Sequence, residues 1–352
     1  MTDVSGTTPS SYFASGTRIL TRHGYECIQN ILPKDELMTH TGTFETIDDL
    51  RNTLYSGPLF NIDLKYHSRV IVCTPNQLWY VRENKYAWDS SIKNCTHVFG
   101  PPEWKEAHHL TKNDYHGMAI NTRALIPEFT VDKVKINKIT GEKRVEKVVV
   151  KMNKPECWYM MGYYVGYGKI QETVNDGDDV FGNLEEAGPC ADKLYNNSGN
   201  LASSDFCYKT WTQLLKMFGN HDHEKIIPEW LQDAPVDGVR MFLEGYMDSA
   251  GNSMVNGALH ITMLSETLAL GIQRLYLKSG HIFGIYTSPN MKRIWLIKKD
   301  NIESFIDGKY AWFAPLRVYR QTSEQPVLLY SIGTGPGKSY IVENTVSGYG
   351  KP

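Results

Sequence analysis

The feature of this sequence that most restricts its fold is a change in the spacing of apolar residues along the chain. Two stretches of short β-like runs flank a segment with helical apolar spacing. From Phe13 to about Val150, runs rich in β-branched and aromatic residues alternate with turn residues, which is typical of strands. After Pro155 the apolar spacing becomes that of helices, and from about Trp312 to Tyr349 the strand pattern returns. This order predicts a mainly β domain that is interrupted by an α+β insertion.

One hairpin is predicted within the first β stretch. Residues 131–152 alternate with a period of two around Thr140 and Gly141, and Gly is suited to the turn between two strands. The segment is also rich in Lys and Arg between positions 133 and 151. It is therefore the part of the first β stretch that best fits a negatively charged partner.

Composition excludes several classes of protein. The net charge of −2 argues against a protein that coats nucleic acid over its whole surface. No basic and apolar leader and no run of about eighteen uncharged apolar residues occur, so neither secretion nor a membrane span is expected. The six cysteines form no C-x-x-C pair, which favours reduced thiols in a cytoplasmic compartment over a disulfide framework or a zinc knuckle.

Four segments become informative when their order is considered. They read YFASGTRILTRHGYECIQNI, VIVCTPNQLWYV, PPEWKEAHHLTKNDYHGMAINT and VLLYSIGTGPGKSYIVENTVSG. In this order they resemble the sequence blocks of an intein, a protein-splicing element with the Hint fold. The resemblance implies a mainly β, horseshoe-shaped Hint-like fold for the two flanking parts of the chain.

The insertion contains two similar segments about 80 residues apart. Residues 160–168 read MMGYYVGYG and residues 243–251 read LEGYMDSAG. They resemble the two motif helices of a LAGLIDADG homing endonuclease, in which the helices pack through small residues at their crossing. The resemblance assigns that packing role to Gly162, Gly166 and Gly245.

Taken together, the resemblances predict a Hint-like fold interrupted by an α+β LAGLIDADG endonuclease-like domain. The expected segments are an N-terminal extension at 1–11, an N-terminal Hint-like half at 12–150, the endonuclease-like domain at 151–310 and C-terminal Hint-like strands at 311–352. Since few residues flank the intein-like part, the chain is expected to be free-standing.

The splicing centre implied by the resemblance carries unsuitable side chains. A phenol at the first nucleophile position is a poor acyl acceptor, and an amide in place of the histidine of the Thr-x-x-His block cannot protonate a leaving amine. No His-Asn pair ends the last block, so chain release by Asn cyclisation is not expected. Shifting the alignment to Ser10 or Ser11 recovers a nucleophile and none of the other groups. The positions concerned are Tyr12, Thr74, Gln77, Ser347, Gly348 and Tyr349.

The endonuclease positions are substituted as well. The family places an acidic metal ligand near the end of each motif helix, and these positions correspond to Tyr167 and Ala250. Asp248 lies close by, but its position in the family pattern is that of a structural acid at the helix end. The run 170–192 contains seven acids and no Lys or Arg, which would repel a phosphate backbone.

Several other patterns have simpler interpretations. The run GTGPGKS at 333–339 lacks the spacing of a phosphate-binding loop and precedes a strand-like segment, so a turn is predicted. The cluster HDHE at 221–224 and the pair His108 and His109 are interpreted as surface residues, and no metal site is expected. The acids at 176–179 lack the spacing of a calcium loop.

The main hypothesis is therefore a protein without splicing or DNA-cleaving activity that acts in a structural or interaction role with protein partners. Inteins with such inserts are frequent in large DNA viruses of eukaryotes, so the resemblance implies a minor capsid or virion protein. No enzymatic activity, cofactor, small-molecule substrate or membrane is expected, and duplex DNA binding is expected to be weak or absent. The alternatives are a non-cleaving duplex-DNA-binding protein and an active homing endonuclease, which alone would need magnesium and would draw on Asp248 or Glu244.

Overall fold

The computed structural model describes most of the chain outside the first ten residues and parts of the insertion. The described residues are 11–91, 93–136, 140–167, 169–171, 180–182, 214–250, 252–255, 258–288, 291–298, 303–323, 325–335 and 338–348. The chain divides into two compact units. Unit 1 comprises residues 1–122, 280–286 and 298–352, and unit 2 comprises residues 123–279 and 287–297.

The unit boundaries differ from the sequence-based ones at 150 and 310. The basic hairpin belongs to unit 2, because its two strands pair with each other along their whole length from Glu128–Lys151 to Ile136–Lys143. Residues 304–307 belong to unit 1, because Ser304 pairs with Phe313 in the large sheet of that unit. Local alternation predicts these strands but carries no information about the partner strand.

Unit 1 is an antiparallel β structure with two short 3₁₀ turns at Ile28–Asn30 and Ala107–His109. Its strands from the first β stretch are β1 (Phe13–Ala14), β2 (Arg18–Thr21), β3 (Gly24–Cys27), β4 (Glu36–Met38), β5 (Phe44–Tyr55), β6 (Pro58–Leu64), β7 (Ile71–Cys73), β8 (Leu78–Asp89), β9 (Asn94–Phe99), β10 (Glu103–Glu106) and β11 (Asp114–Ala119). The later strands, numbered here in chain order for the whole molecule, are β20 (Ser304–Asp307), β21 (Tyr310–Phe313), β22 (Pro315–Thr322), β23 (Val327–Thr334), β24 (Ser339–Val342) and β25 (Thr345–Gly348). These seventeen described strands form one connected sheet network, which confirms the mainly β class.

Strands from the two ends of the sequence pair with each other in unit 1. Strand β1 pairs with β23 and β7, β5 pairs with β23, and β6 pairs with β22. Strand β25 pairs with both β24 and β8. The segments before and after the insertion therefore form one structure, as the return of the strand pattern predicts.

The core of unit 1 lies where these strands meet. Phe13, Trp79 and Tyr340 are fully buried, and the ring of Phe13 contacts the other two edge to face, with centroids 5.8 and 6.2 Å away. Burying such large rings removes much apolar surface from water and fixes the position of β1 against β8. The residues on either side of this core form the site described below.

Unit 2 combines helices with short sheets. Its described elements are β12 (Glu128–Ile136), β13 (Lys143–Lys151), α1 (Pro155–Tyr167), β14 (Lys169–Gln171), β15 (Val180–Gly182), α2 (Glu229–Gln232), α3 (Val236–Ala250), β16 (Asn252–Val255), β17 (Ala258–Met263) and α4 (Glu266–Lys278). Strands β18 (Phe283–Ser288) and β19 (Met291–Lys298) each include residues of both units. Strand β17 pairs with β16 and β19.

Local signals explain where the helices begin and end. The side chain of Ser265 accepts a hydrogen bond from the backbone N–H of Leu268 and so caps the first turn of α4. Near the C-terminus of α1, the buried Lys225 donates from Nζ to the carbonyl of Tyr164 at 3.1 Å. A cation there satisfies a carbonyl that the helix leaves open. None of the described helices is both long and apolar enough to cross a membrane.

Candidate functional site

The start of β1 is fixed to the loop after β7 by reciprocal hydrogen bonds. The backbone N–H of Tyr12 donates to Oγ1 of Thr74 at 3.0 Å, and the backbone N–H of Thr74 donates to the carbonyl of Tyr12 at 2.9 Å. Thr74 is fully buried, and Phe13 pairs with Cys73 in the adjacent strand. Thr74 thus contacts the backbone of Tyr12, the residue to which the resemblance assigns the first nucleophile position.

The same loop carries Gln77, whose side chain lies inside the protein. Its Nε2 donates to the carbonyl of Gly348 at 2.7 Å and to Oγ of Ser347 at 2.8 Å. Carbonyl oxygens accept only, so the amide nitrogen must face Gly348. The Oε1 of Gln77 has no hydrogen-bond partner among the described residues. The loop itself is closed by a bond from the N–H of Gln77 to the carbonyl of Thr74 at 3.1 Å.

At the end of β25, the Ser347 hydroxyl is already hydrogen-bonded and the space beside Gly348 is filled. The Ser347 hydroxyl is fully buried and donates its single proton to the carbonyl of Leu78 at 2.7 Å. A Cβ atom added at Gly348 would lie 2.9 Å from Cζ3 of Trp104, so the indole ring fills the space that a side chain at this position would need. The resemblance assigns a cyclising Asn to position 348, where this chain has a glycine and the Trp104 ring lies against it.

The structure thus brings five of the six predicted splicing positions around one loop, the turn from Thr74 to Gln77. Tyr12 contacts one end of this loop, and Ser347 and Gly348 contact the other end. Tyr349 lies outside the described residues. These contacts span up to 271 positions along the sequence, so only the resemblance, and no local pattern, points to them.

Sequence reasoning missed one nucleophile type at this site. Cys73 directly precedes Thr74 and is fully buried, and burial raises the pKa of its thiol to about 12. A thiol with such a pKa is almost entirely protonated at neutral pH and is a poor nucleophile. We find no activated nucleophile among the described residues of this site.

Two histidines of unit 1, the buried His116 and the partly buried His67, are also unsuited to proton transfer near neutral pH. His116 packs against Trp79 with ring centroids 5.3 Å apart, and burial lowers its pKa to about 3. Burial likewise lowers the pKa of His67 to about 4, although the carbonyl of Lys65 stabilises its protonated form. Neither imidazole contacts Gln77 or Ser347 through any hydrogen bond of the described residues. Both are expected to act as neutral core side chains.

In unit 2, helices α1 and α3 pack against each other at the predicted glycines. A Cβ atom at Gly162 would overlap the carbonyl of Phe242, and one at Gly245 would overlap the carbonyl of Tyr159. At Gly166 it would overlap the Ser249 side chain. These contacts at Gly162, Gly166 and Gly245 bring the backbones of the two helices into close approach.

Both predicted metal-ligand positions lie at the last residue of these helices. Tyr167 ends α1 and is 56% exposed, and Ala250 ends α3. Asp248 is exposed and accepts a hydrogen bond from the hydroxyl of Tyr159 at 2.8 Å. A phenol and a methyl group supply no pair of carboxylates for divalent cations. Asp248 is engaged by the neighbouring helix.

Three further sequence predictions agree with the structure, and one concerns residues outside the described part of the chain. The hairpin around Thr140 and Gly141 is confirmed, with Gly141 at φ +72°. The segment after GTGPGKS forms strands β24 and β25, as predicted. Residues 221–224 are exposed, as predicted. Most of the acidic run at 170–192, including residues 176–179, lies outside the described residues.

One surface of unit 1 exposes large aromatic side chains. Residues 84–89 of β8 and 94–99 of β9 form a two-stranded ribbon, which we call the aromatic ribbon. Tyr86 and Trp88 lie two positions apart, hence on the same side, and each is 67% exposed. His97 packs on Tyr86 with ring centroids 4.5 Å apart. Exposed aromatic residues in such a pair are typical of surfaces that a partner covers.

The sequence matches no protein-family model, and no curated protein is significantly similar to it.

Proposed function

We propose that this protein is a Hint-like domain with a LAGLIDADG-like insertion that has lost splicing and DNA cleavage and acts in a structural or interaction role. The observation that supports this most directly is the buried cluster of Gln77, Ser347 and Gly348. Its amide and hydroxyl protons are donated to fixed acceptors, and the Trp104 ring occupies the room for a cyclising Asn. Such a cluster stabilises the fold and offers no acyl-transfer chemistry.

The packing of the second unit supports the same proposal. Close approach of α1 and α3 requires glycine at the crossing, and all three predicted positions have it. By contrast, the two helix ends carry Tyr167 and Ala250 in place of carboxylates. A scaffold that is kept while its metal ligands are replaced is expected of a protein whose remaining role depends on shape.

The aromatic ribbon is the surface that we propose for protein contacts. Tyr86 and Trp88 would bury large apolar areas against a partner at small entropic cost. A place in a virion as a minor capsid protein, as inferred from the resemblance, would supply such a partner. Replacing Trp88 by Ala is expected to weaken any assembly of this protein and to leave its thermal unfolding unchanged.

Thiol-dependent cleavage tests the splicing part of the proposal. The double variant Tyr12→Cys, Gln77→His reintroduces a thiol and an imidazole at the two ends of the Thr74 loop. On incubation with dithiothreitol, it is expected to release the peptide that precedes residue 12, as measured by intact mass spectrometry. The matched control is Ser15→Cys with Gln77→His, which places the thiol on an exposed neighbouring residue.

The outcomes of this experiment separate the alternatives. Cleavage in the double variant and none in the unmodified protein supports a splicing scaffold without its chemistry. Cleavage of the unmodified protein would refute the loss of activity. Equal behaviour of the double variant and the Ser15→Cys control would refute the Hint-like assignment of this site.

Binding of duplex DNA is the second candidate function, and the basic hairpin favours it. Strands β12 and β13 carry several Lys and Arg residues, of which Lys151 forms an ion pair with Glu128 at 2.7 Å. Retention of mixed duplex DNA at low salt that is lost at physiological salt, without nicking in magnesium, would support this function. Nicking by the unmodified protein would instead support an active endonuclease.

Introducing carboxylates at the two metal-ligand positions distinguishes a protein that binds duplex DNA without cleaving it from one that does not bind DNA. The variant Tyr167→Asp, Ala250→Asp places a carboxylate at the end of each motif helix. Magnesium-dependent nicking by this variant would show that the surface still holds duplex DNA. No nicking and no retention would leave protein contacts as the function.

A further inference from the structure

A 3₁₀ turn in unit 1 places two imidazoles and a carboxylate next to each other. Glu106 directly precedes the turn, and His108 and His109 lie within it. Each side chain offers one ligand atom, and these atoms lie within 4.8 Å of one another. The two imidazole ring centroids are only 3.8 Å apart. We call these three residues the His/Glu turn, and none of the three belongs to the sites discussed above.

Hydrogen bonds to the loop at residues 74–77 hold the backbone of this turn in place. Ala107 is fully buried and donates its N–H to the carbonyl of Gln77 at 2.8 Å. The N–H of His108 donates to the carbonyl of Pro75 at 3.0 Å. The ligand side chains therefore project from an anchored backbone, which reduces the conformational entropy that metal binding would cost.

The hydrogen bonding of His108 supplies a second, independent observation. Its Nδ1 lies 2.9 Å from the carbonyl oxygen of Pro75, which can only accept, so Nδ1 carries the proton. This fixes the tautomer and leaves the lone pair of Nε2 for a ligand. Oε2 of Glu106 lies 3.4 Å from the same Nδ1, so the carboxylate must turn towards Nε2 to share a metal ion with it. Metal-binding histidines are oriented in the same way, by donating their other ring N–H to a backbone carbonyl or a carboxylate.

We infer that the His/Glu turn is a binding site for a divalent transition metal ion of the Zn²⁺ type, formed by Glu106, His108 and His109. Two imidazole nitrogens and one carboxylate oxygen are a donor set that Zn²⁺ accepts, with water completing four-coordination. Hard cations such as Mg²⁺ prefer oxygen donors and are excluded by the two imidazoles. Glu106 is partly exposed and both histidines are exposed, so a metal ion can reach the three ligand atoms from the solvent.

The site is connected to the buried cluster through the backbone. Because Ala107 and His108 donate to Gln77 and Pro75, a metal ion at the turn also restrains the loop that carries Gln77. Ligand binding to the folded state raises the melting temperature through mass action. Zinc is therefore expected to raise the thermal stability of unit 1.

Isothermal titration of ZnCl₂ into the full-length protein, free of any affinity tag, tests the inference. One Zn²⁺ per chain is expected to bind, and His109→Ala is expected to weaken its binding at least about tenfold. His109 is exposed, so its replacement leaves the fold intact, which circular dichroism checks. Cobalt substitution gives an independent readout, since Co²⁺ at an imidazole-containing tetrahedral site absorbs in the visible range.

The chain contains a matched control. His221 and His223 are also an exposed pair, with parallel rings whose centroids lie 5.8 Å apart. The variant His221→Ala, His223→Ala is expected to retain full zinc affinity. Loss of binding in this control with retention in His109→Ala would overturn the inference, as would the absence of any Zn²⁺ binding to the unmodified protein. Glu106→Gln, which keeps size and removes charge, is expected to weaken binding without preventing folding.

Discussion

The buried hydroxyl of Ser347 is predicted to contribute measurably to the stability of the fold. The resemblance to inteins would instead assign this position to catalysis. Ser347→Ala removes one bond accepted from Gln77 at 2.8 Å and one donated to Leu78 at 2.7 Å. Each buried hydrogen bond contributes about 1 kcal/mol. The carbonyl of Leu78 keeps only the longer bond from Nε2 of Gln77 at 3.4 Å, and this loss adds at most about 2 kcal/mol. The free energy of unfolding is therefore expected to fall by about 2–4 kcal/mol.

A matched serine provides the control. Ser304 is also buried in unit 1, and its hydroxyl has no hydrogen-bond partner among the described residues. Ser304→Ala removes the same atom without removing such a bond, so its effect is expected to lie within about 0.5 kcal/mol of zero or to be stabilising. Because both residues lie in unit 1, the same unfolding transition reports both variants.

Urea denaturation followed by tryptophan fluorescence measures both effects, with the m-value checked for constancy. In a double-mutant cycle, Gln77→Leu and Ser347→Ala are expected to be non-additive by about 1 kcal/mol, since they share a hydrogen bond. If Ser347→Ala lowers the free energy of unfolding no more than Ser304→Ala does, the hydrogen-bonded cluster does not stabilise the fold, and the reasoning above is refuted.

Three further predictions follow from other parts of the molecule. Gly245→Ala is expected to lower the free energy of unfolding of unit 2 by about 1–3 kcal/mol, because the clash at the helix crossing outweighs the gain of about 1 kcal/mol in helix propensity. Stability is expected to fall as the pH decreases from about 6.5 towards 4, because the pKa values of His67 and His116 are lowered to about 4 and 3 and the unfolded chain takes up protons first. At pH 8 the buried Cys73 is expected to react with iodoacetamide at least about 100-fold more slowly than the exposed Cys95, as peptide mass spectrometry measures.

Each of these predictions has its own check. Glu244→Ala, on the exposed side of the same helix, should change stability by less than about 0.5 kcal/mol. His67→Gln should move the acid unfolding midpoint to lower pH, and an unchanged midpoint would contradict the assignment of that titration. Equal labelling of the two cysteines in the folded protein would show that Cys73 is accessible.

The sequence predicts the elements of this fold better than their pairing. Alternation identifies strands such as those around Thr140, and helical spacing identifies the two helices that cross at Gly162 and Gly245. The hairpin's membership in unit 2 was not predictable, because alternation specifies which face of a strand is apolar but not which strand lies beside it. Unit boundaries depend on these partners.

The candidate site shows a similar division. The proximity of Gln77 to Ser347 and Gly348 follows from the resemblance alone, since no rule of spacing connects residues so distant in sequence. The filling of the space beside Gly348 by Trp104 could not be predicted, because it depends on the rotamer of one ring in the folded core. The proton on Nδ1 of His108 also depends on a tertiary contact, the carbonyl of Pro75.

The pairing between the two ends of unit 1 has a consequence for biosynthesis. The N–H of Arg18 donates to the Glu343 carboxylate across 325 positions, and β1 completes its pairing only with β23. A ribosome producing about 5–20 residues per second therefore leaves the early strands waiting for tens of seconds with unpaired edges. Nascent chains of this protein are expected to depend on chaperone protection until strands β23 to β25 emerge.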